Sequence, residues 1–175
     1  MFVIYVQSGR ELEVVDQLAA KDIKAYAPRK VVSERCGTMW YNRAYIIFDC
    51  YVFIDAAELT VELWNAVKET YGAVRFVSRS QLSATEEEYI RLLCSAGKPI
   101  GLSRGYIVNG ILHITEGFLK SIEHKIVRYN RRGRRATAEF TIHGERYKVT
   151  FSCEFDPPPA SALMSSAAAK NTGLP

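Results

Sequence analysis

The residues best suited to chemistry in this chain are cations. Arg128-Tyr129-Asn130-Arg131-Arg132-Gly133-Arg134-Arg135 places five arginines in eight residues. The guanidinium is a planar fork that matches phosphate oxygens two at a time, so this run points to a phosphate-binding surface. A solvated loop or edge strand would have the same composition. Asn130 to Gly133 predicts a hairpin tip, which would turn the arginines outward. The surrounding charge agrees. Residues 96–156 hold 11 Lys/Arg against 6 Asp/Glu, whereas residues 1–95 hold 11 against 13. Two segments of opposite sign suggest two domains with different partners.

Groups that would support catalysis are sparse. Cys36, Cys50, Cys94 and Cys153 stand alone, with no Cys-x-x-Cys pair and no histidine at metal spacing, which predicts no metal site. His113, His124 and His143 all fall in the basic segment. Glu86-Glu87-Glu88 occupies adjacent positions that do not share a helix face, so it reads as first-turn stabilisation of a helix. There is no glycine-rich phosphate loop and no Gly-x-Ser-x-Gly. A thiol enzyme would need a Cys/His pair that meets only in space, and nothing singles one out. The chain reads as a binding protein without a cofactor.

The elements that must position these residues follow from periodicity. With 175 residues and 48% hydrophobic content the chain can bury one ordinary core or two small ones. Its apolar stretches are too short for a membrane span. The opening Phe2 to Val6 reads as a strand rather than a signal peptide, and unpaired thiols suggest a reducing, cytoplasmic setting. Arg10 to Ala20 predicts a helix with Leu12, Val15 and Leu18/Ala19 inward. Ala25 to Val32 looks extended, Ser33 to Asn42 a loop or hairpin tip, and Tyr45 to Ile54 a strand interrupted at Asp49-Cys50. Glu58 to Tyr71 is helical, with Leu59, Leu63 and Val67 aligned and Gly72 as its stop. Val74 to Val77 is a strand. Ser83-Ala84-Thr85-Glu86 fits a capping box that opens a helix with Tyr89, Leu92 and Leu93 inward.

After residues 97–104, read as a linker, the period changes. Tyr106–Val108, Ile111–Ile114, Ile122–Tyr129, Ala136–Ile142 and Arg146–Phe151 are short strands separated by glycine turns. The expected fold is therefore α+β. An N-terminal α/β sandwich with a mostly antiparallel sheet (1–96) precedes a small five-stranded β-barrel (105–156), and a disordered, Pro/Ala/Ser-rich tail (157–175) follows.

These residues resemble a known family. Ile4-Tyr5-Val6-Gln7-Ser8-Gly9-Arg10-Glu11 is similar to the opening strand and glycine-led helix of the NusG N-terminal domain. Phe48-Asp49-Cys50-Tyr51-Val52-Phe53-Ile54 is similar to its central Phe-Pro-Gly-Tyr-Val-Phe strand, with Asp49-Cys50 in place of Pro-Gly. Trp64, Gly72-Ala73-Val74-Arg75-Phe76-Val77 and Leu82-Ser83-Ala84-Thr85-Glu86 complete the match. The second segment resembles a KOW domain in Gly105, Ile111 to Ile114, Glu116-Gly117-Phe118-Leu119-Lys120 and Ile126 to Ala136, with His124 where the KOW core has glycine. The arginine-dense hairpin resembles specialised NusG paralogues of the LoaP antiterminator type.

The resemblance implies a monomeric transcription elongation factor whose N-terminal domain binds the clamp helices of RNA polymerase through a hydrophobic sheet face. Tyr51 and Phe53 share one face of a strand and are the expected contacts, with Phe48 and Phe76. Related KOW domains bind RNA, ribosomal protein or termination factor. The charge excess here favours RNA, a structured leader hairpin, held by Lys120, Lys125, Arg128, Arg131, Arg132, Arg134 and Arg135, with His124 and Tyr129 adding stacking or 2′-hydroxyl contacts. The expected function is processive antitermination. A general NusG-like factor contacting ribosome or termination factor, and a purely RNA-binding KOW protein, are the alternatives.

Overall fold

The structure is a computed structural model that describes residues 1–77, 81–95, 97–142 and 144–160. The expected tail lies outside the described residues from position 161 on, as do Ala96 and His143. The described residues form three α-helices, one 3-10 helix and eleven strands. This is the α+β class expected. Contacts group the chain into two units that are not sequence intervals. One comprises Met1–Lys30, Ala44–Ile100 and Thr141–Glu145; the other comprises Val31–Arg43, Gly101–Phe140 and the chain from Arg146.

In the first unit β1 (Phe2–Val6) is central. It pairs antiparallel with β5 (Tyr51–Ile54) and with β6 (Ala73–Phe76), while β2 (Ala25–Tyr26) pairs antiparallel with β5, giving the order β2-β5-β1-β6. Register sorts the side chains. Phe2 and Ile4 stand beside Ile54 and Val52, and Phe76 joins them beside Ile4. They pack with Val14 and Leu18 of α1 (Glu11–Ala19) and with Leu63 and Val67 of α2 (Val61–Lys68). The opposite face carries Val3, Tyr5, Tyr51, Phe53 and Arg75.

Helix ends follow their sequences unequally. Thr60 caps α2 by accepting from the Leu63 N–H. Ser83 and Glu86 form the expected capping box at the start of α3 (Ala84–Cys94), an arrangement worth about 1 kcal/mol. α1 has no side-chain N-cap.

Two helix phases differ from expectation. In α1 the buried residues are Glu11, Val14 and Leu18, and Leu12 is exposed. In α3 they are Ile90 and Leu93 rather than Tyr89 and Leu92. A stripe with several apolar residues permits neighbouring phases, and packing selects among them. The stretch read as a loop or hairpin tip over Ser33 to Asn42 is a hairpin whose strands run further toward the tip than expected: β3 (Arg29–Cys36) and β4 (Met39–Ile46) form a ribbon turning at Gly37. Nearly all of β4 is exposed, so its sequence carries no apolar alternation to read.

In the second unit a curled five-stranded sheet has the order β8-β7-β11-β10-β9. The strands are β7 (Ser103–Val108), β8 (Ile111–Glu116), β9 (Ile126–Asn130), β10 (Arg135–Ile142) and β11 (Glu145–Phe155). Asn109 and Gly110 both have positive φ, as a tight two-residue β7–β8 turn requires. Gly105 must be glycine, because a Cβ there would lie 2.4 Å from the His113 carbonyl oxygen. The predicted strand Ile122–Tyr129 begins instead as a 3-10 helix, Phe118–Lys125, kinked at Ile122. Its buried Leu119 donates its N–H to Ser103 Oγ at 3.2 Å. On β9 a bulge leaves Val127 unpaired, so Arg128 and Asn130 face outward while Tyr129 follows buried Ala136.

Asp55 ties three elements of the first unit. It takes a two-pronged contact from Arg91 (2.6 and 2.7 Å) and a bond from the Tyr26 hydroxyl (3.1 Å), with Lys24 Nζ at 3.6 Å. The Arg91 bonds, helped by Tyr26, hold its carboxyl below the ordinary range. A lowered folded pKa stabilises above the unfolded value and loses that contribution as pH falls through the folded one. Asp55→Asn should therefore cost about 1–2 kcal/mol at neutral pH, discounted for the exposure of Arg91. Urea unfolding of wild type and variant should converge as pH drops below about 4.

Candidate functional site

The first candidate surface is the sheet face bearing Tyr5, Tyr51 and Arg75. Tyr5 and Tyr51 meet edge to face at 5.8 Å, and the Arg75 guanidinium lies 5.8 Å over the Tyr5 ring. Arg75 is exposed and both tyrosines are half-buried. Phe53, on the same sheet face, and Phe48 are 1% and 4% exposed and pack edge to face at 5.4 Å. Phe76 is not brought together with them. It sits on the helix-facing side, stacked at 4.9 Å on Trp64, where the two rings line a small groove of about 150 Å³. Register explains the split, since Phe76 stands beside Ile4 whereas Tyr51 and Phe53 stand beside Tyr5 and Val3.

The loop leading into β5 is held by Glu11. Its buried carboxylate oxygen accepts from the N–H groups of Cys50 (2.8 Å) and Gly9 (3.3 Å). Cys50 adopts φ +66°, in the left-handed region that favours glycine. Charge repulsion from its thiol, with a side-chain hydrogen bond to the same group, pushes the Tyr5 phenol above its ordinary pKa. Burial pushes the Cys94 thiol up to about 12 and Cys153 to about 11, so neither carries appreciable thiolate at neutral pH.

The second candidate surface is the arginine turn. Arg131–Arg134 closes the β9–β10 hairpin, with the Arg134 N–H donating to the Arg131 carbonyl and the Gly133 N–H to Asn130 Oδ1 at 2.8 Å. The left-handed residue is Arg134 (φ +51°) rather than Gly133. The arginines divide into two kinds. Arg134 lies 3.2 Å from Glu154, which also binds Arg104 at 3.2 Å, and its guanidinium covers the Trp40 ring at 4.6 Å. Arg131, Arg132 and Arg128 are exposed and Arg135 half-buried; among the described residues no carboxylate lies within 4 Å of these four.

His124, Arg128 and Tyr129 come together with His113, Ile111 and Val127 around an open groove of about 570 Å³ between β8 and β9, the two end strands of the sheet. The Tyr129 hydroxyl is already engaged, donating to the Gly110 carbonyl at 2.8 Å, while its ring lies 6.1 Å from Phe155. Lys120 is exposed and Lys125 half-buried on the 3-10 helix. Sequence reasoning missed Trp40 and Glu154, which hold Arg134. Trp40-Tyr41 inside a polar stretch was the available signal.

Residues 1–93, just over half the chain, match the family described as NusG, transcription termination factor nusG. The chain belongs to the NusG family. Its members are transcription factors rather than enzymes. No curated individual protein matches the sequence. The backbone at Cys50 lies in the left-handed region that suits glycine, so Cys50 is held there under strain. No helix among the described residues is long and apolar enough to cross a membrane.

Relieving that strain gives a direct check. Cys50→Gly should raise stability by up to about 1 kcal/mol in urea unfolding. It should also return the Tyr5 phenol toward its ordinary pKa in an ultraviolet pH titration, because the neighbouring thiol is removed.

Proposed function

We propose that this NusG-family protein is a transcription elongation factor of the processive antitermination kind. Its N-terminal domain (1–96) binds the clamp helices of RNA polymerase, and its C-terminal, KOW-like domain (105–156) binds a structured RNA hairpin in the nascent leader. The protein acts as a cytoplasmic monomer. The observation that carries this reading is the division of the arginines. Arg128, Arg131, Arg132 and Arg135 have no carboxylate partner among the described residues, and two of them crown an outward turn. A merely solubilising rim gains nothing from that arrangement, whereas a polyanion such as RNA supplies the missing charge.

On the polymerase side the supporting feature is the half-buried Tyr5–Tyr51 pair with Arg75. Tyr51 offers the accessible contact. Phe53 and Phe48 are buried, so they support that face rather than offering surface to a partner. Phe76 lies on the other side of the sheet and belongs to the Trp64 stack. Differential affinity for the closed elongating state is what would suppress pausing.

Tyr51→Ala should weaken polymerase binding and leave RNA binding intact. The pair Arg131→Gln and Arg132→Gln should do the reverse. In filter binding that pair should lower the log–log salt slope by about 1.4–1.8, two phosphates' worth. Arg134→Gln should lower thermal stability more than it changes the slope, because Arg134 is already paired. Crosslinking in growing cells, followed by sequencing of attached RNA, should recover one or a few leader hairpins. Reads spread over every transcribed gene would instead identify a general elongation factor.

A further inference from the structure

The edge of β8 that borders the β8–β9 groove is plugged on both sides of a single residue. Pairing with β7 fixes which backbone groups look into the groove. Asn109-Gly110 joins the two strands as a two-residue turn, so Val108 and Ile111 close the ladder as a hydrogen-bonded pair. Tyr106 and His113 form the next such pair, and Ile107 and Leu112 lie between them. Alternation therefore turns the N–H and C=O of Leu112 away from β7 and toward the groove, which Leu112 lines. Both neighbouring positions on that edge are engaged. The Tyr129 hydroxyl donates to the Gly110 carbonyl at 2.8 Å, and Glu123 Oε1 accepts the Ile114 N–H at 3.1 Å. Leu112 is left as the open residue between two plugs, with one donor and one acceptor side by side.

That opening is too short for an added strand. A peptide that extends a sheet needs outward groups on alternate residues, here Gly110, Leu112 and Ile114, and the outer two are taken. A planar base needs only a donor and an acceptor along one edge. The surroundings suit such a ring. Ile111 and Val127, both exposed, give the groove apolar walls. The His113 ring lines it too, backed by Tyr106 at 5.3 Å. Charge favours a nucleotide. Arg128 lines the groove with no carboxylate within 4 Å among the described residues, and the one lining carboxylate, Glu123, is already bonded to Ile114. The volume of about 570 Å³ falls within the roughly 300–1,000 Å³ of clefts that hold small ligands.

We propose that the groove receives one unstacked nucleobase of the bound RNA, hydrogen-bonded by the Leu112 backbone and stacked on His113, with Arg128 on its phosphate. This rests on the RNA reading above and adds that the hairpin carries an extrahelical nucleotide. A base inside a duplex is stacked on both faces and spends its pairing edge on its partner. A bulged base has ring and edge free, and placing it in a pocket costs least. β9 carries Arg128 into the same hairpin whose turn exposes Arg131 and Arg132. One element can thus hold the phosphates of the stem beside the base that leaves it.

The test uses the full-length protein and RNA hairpins identical except at one stem position, which is fully paired, carries a bulged adenosine, or carries an abasic residue in the bulge. In filter binding the bulged adenosine should bind roughly tenfold tighter than either of the others. His113→Ala should lower the bulged hairpin to the affinity of the paired one, and His113→Phe, which keeps a ring, should retain the preference. A preference that survives His113→Ala would overturn the stacking assignment. Bulged and paired hairpins bound equally would overturn the base site and leave the RNA reading standing. An abasic bulge bound as tightly as adenosine would also overturn it, since the bulge would then act by bending the stem. Displacement of the RNA by a short peptide of alternating valine and threonine would give the groove to an added strand instead. If no hairpin binds at low salt, this proposal and the RNA reading fall together.

Discussion

Glu11 is a carboxylate with almost no exposed surface, and the N–H groups of Gly9 and Cys50 both point at its Oε1. Burying a charge is tolerable only when hydrogen bonds replace its water. Here they join two segments 39 residues apart, the turn that begins α1 and the loop that begins β5. α1 has no ordinary N-cap, so this residue also satisfies a backbone donor at its start. The position of Phe48, the strained Cys50 and the presentation of Tyr51 all depend on where that loop is pinned. The sheet face proposed to meet polymerase is thus set by a residue that takes no part in the contact.

In the second unit the deciding constraint is the commitment of charge. Five arginines in eight residues look equivalent along the sequence. The fold makes Arg134 a structural cation, clamped by Glu154 and Trp40, and leaves Arg128, Arg131, Arg132 and Arg135 with no carboxylate within 4 Å among the described residues. The paired arginine is held in place by its two partners, and the others supply the charge proposed to meet RNA. Such a division cannot be made by a symmetric patch of lysines, because a flexible ammonium does not lie flat on an indole ring.

Much of this was legible in the residues. Capping chemistry at Ser83 and Glu86, the Asn109-Gly110 turn and the apolar strands gave their elements directly. The family emerged from the order of short motifs and is carried by residues 1–93. What escaped was decided by tertiary context. The phase of α1 and α3 depends on which apolar stripe the sheet accepts. Nearly all of β4 is exposed, so no alternation betrays that strand. Phe76 shares residue type with Tyr51 and Phe53 but not their side of the sheet, and only register shows that. Within the hairpin tip the left-handed residue is Arg134, not Gly133, and its side chain reaches both Glu154 and Trp40.

The hydrogen bond from Ser33 to Ser152 spans 119 residues of sequence. A ribosome adding about 5–20 residues per second makes Ser33 roughly 6–24 s before it makes Ser152. Through that interval the ribbon with its bare Met39, Trp40 and Tyr41 is present without the β-sheet it will join. The second unit is completed only once β11 has been made, so its exposed aromatic strand is the segment most in need of chaperone cover until then.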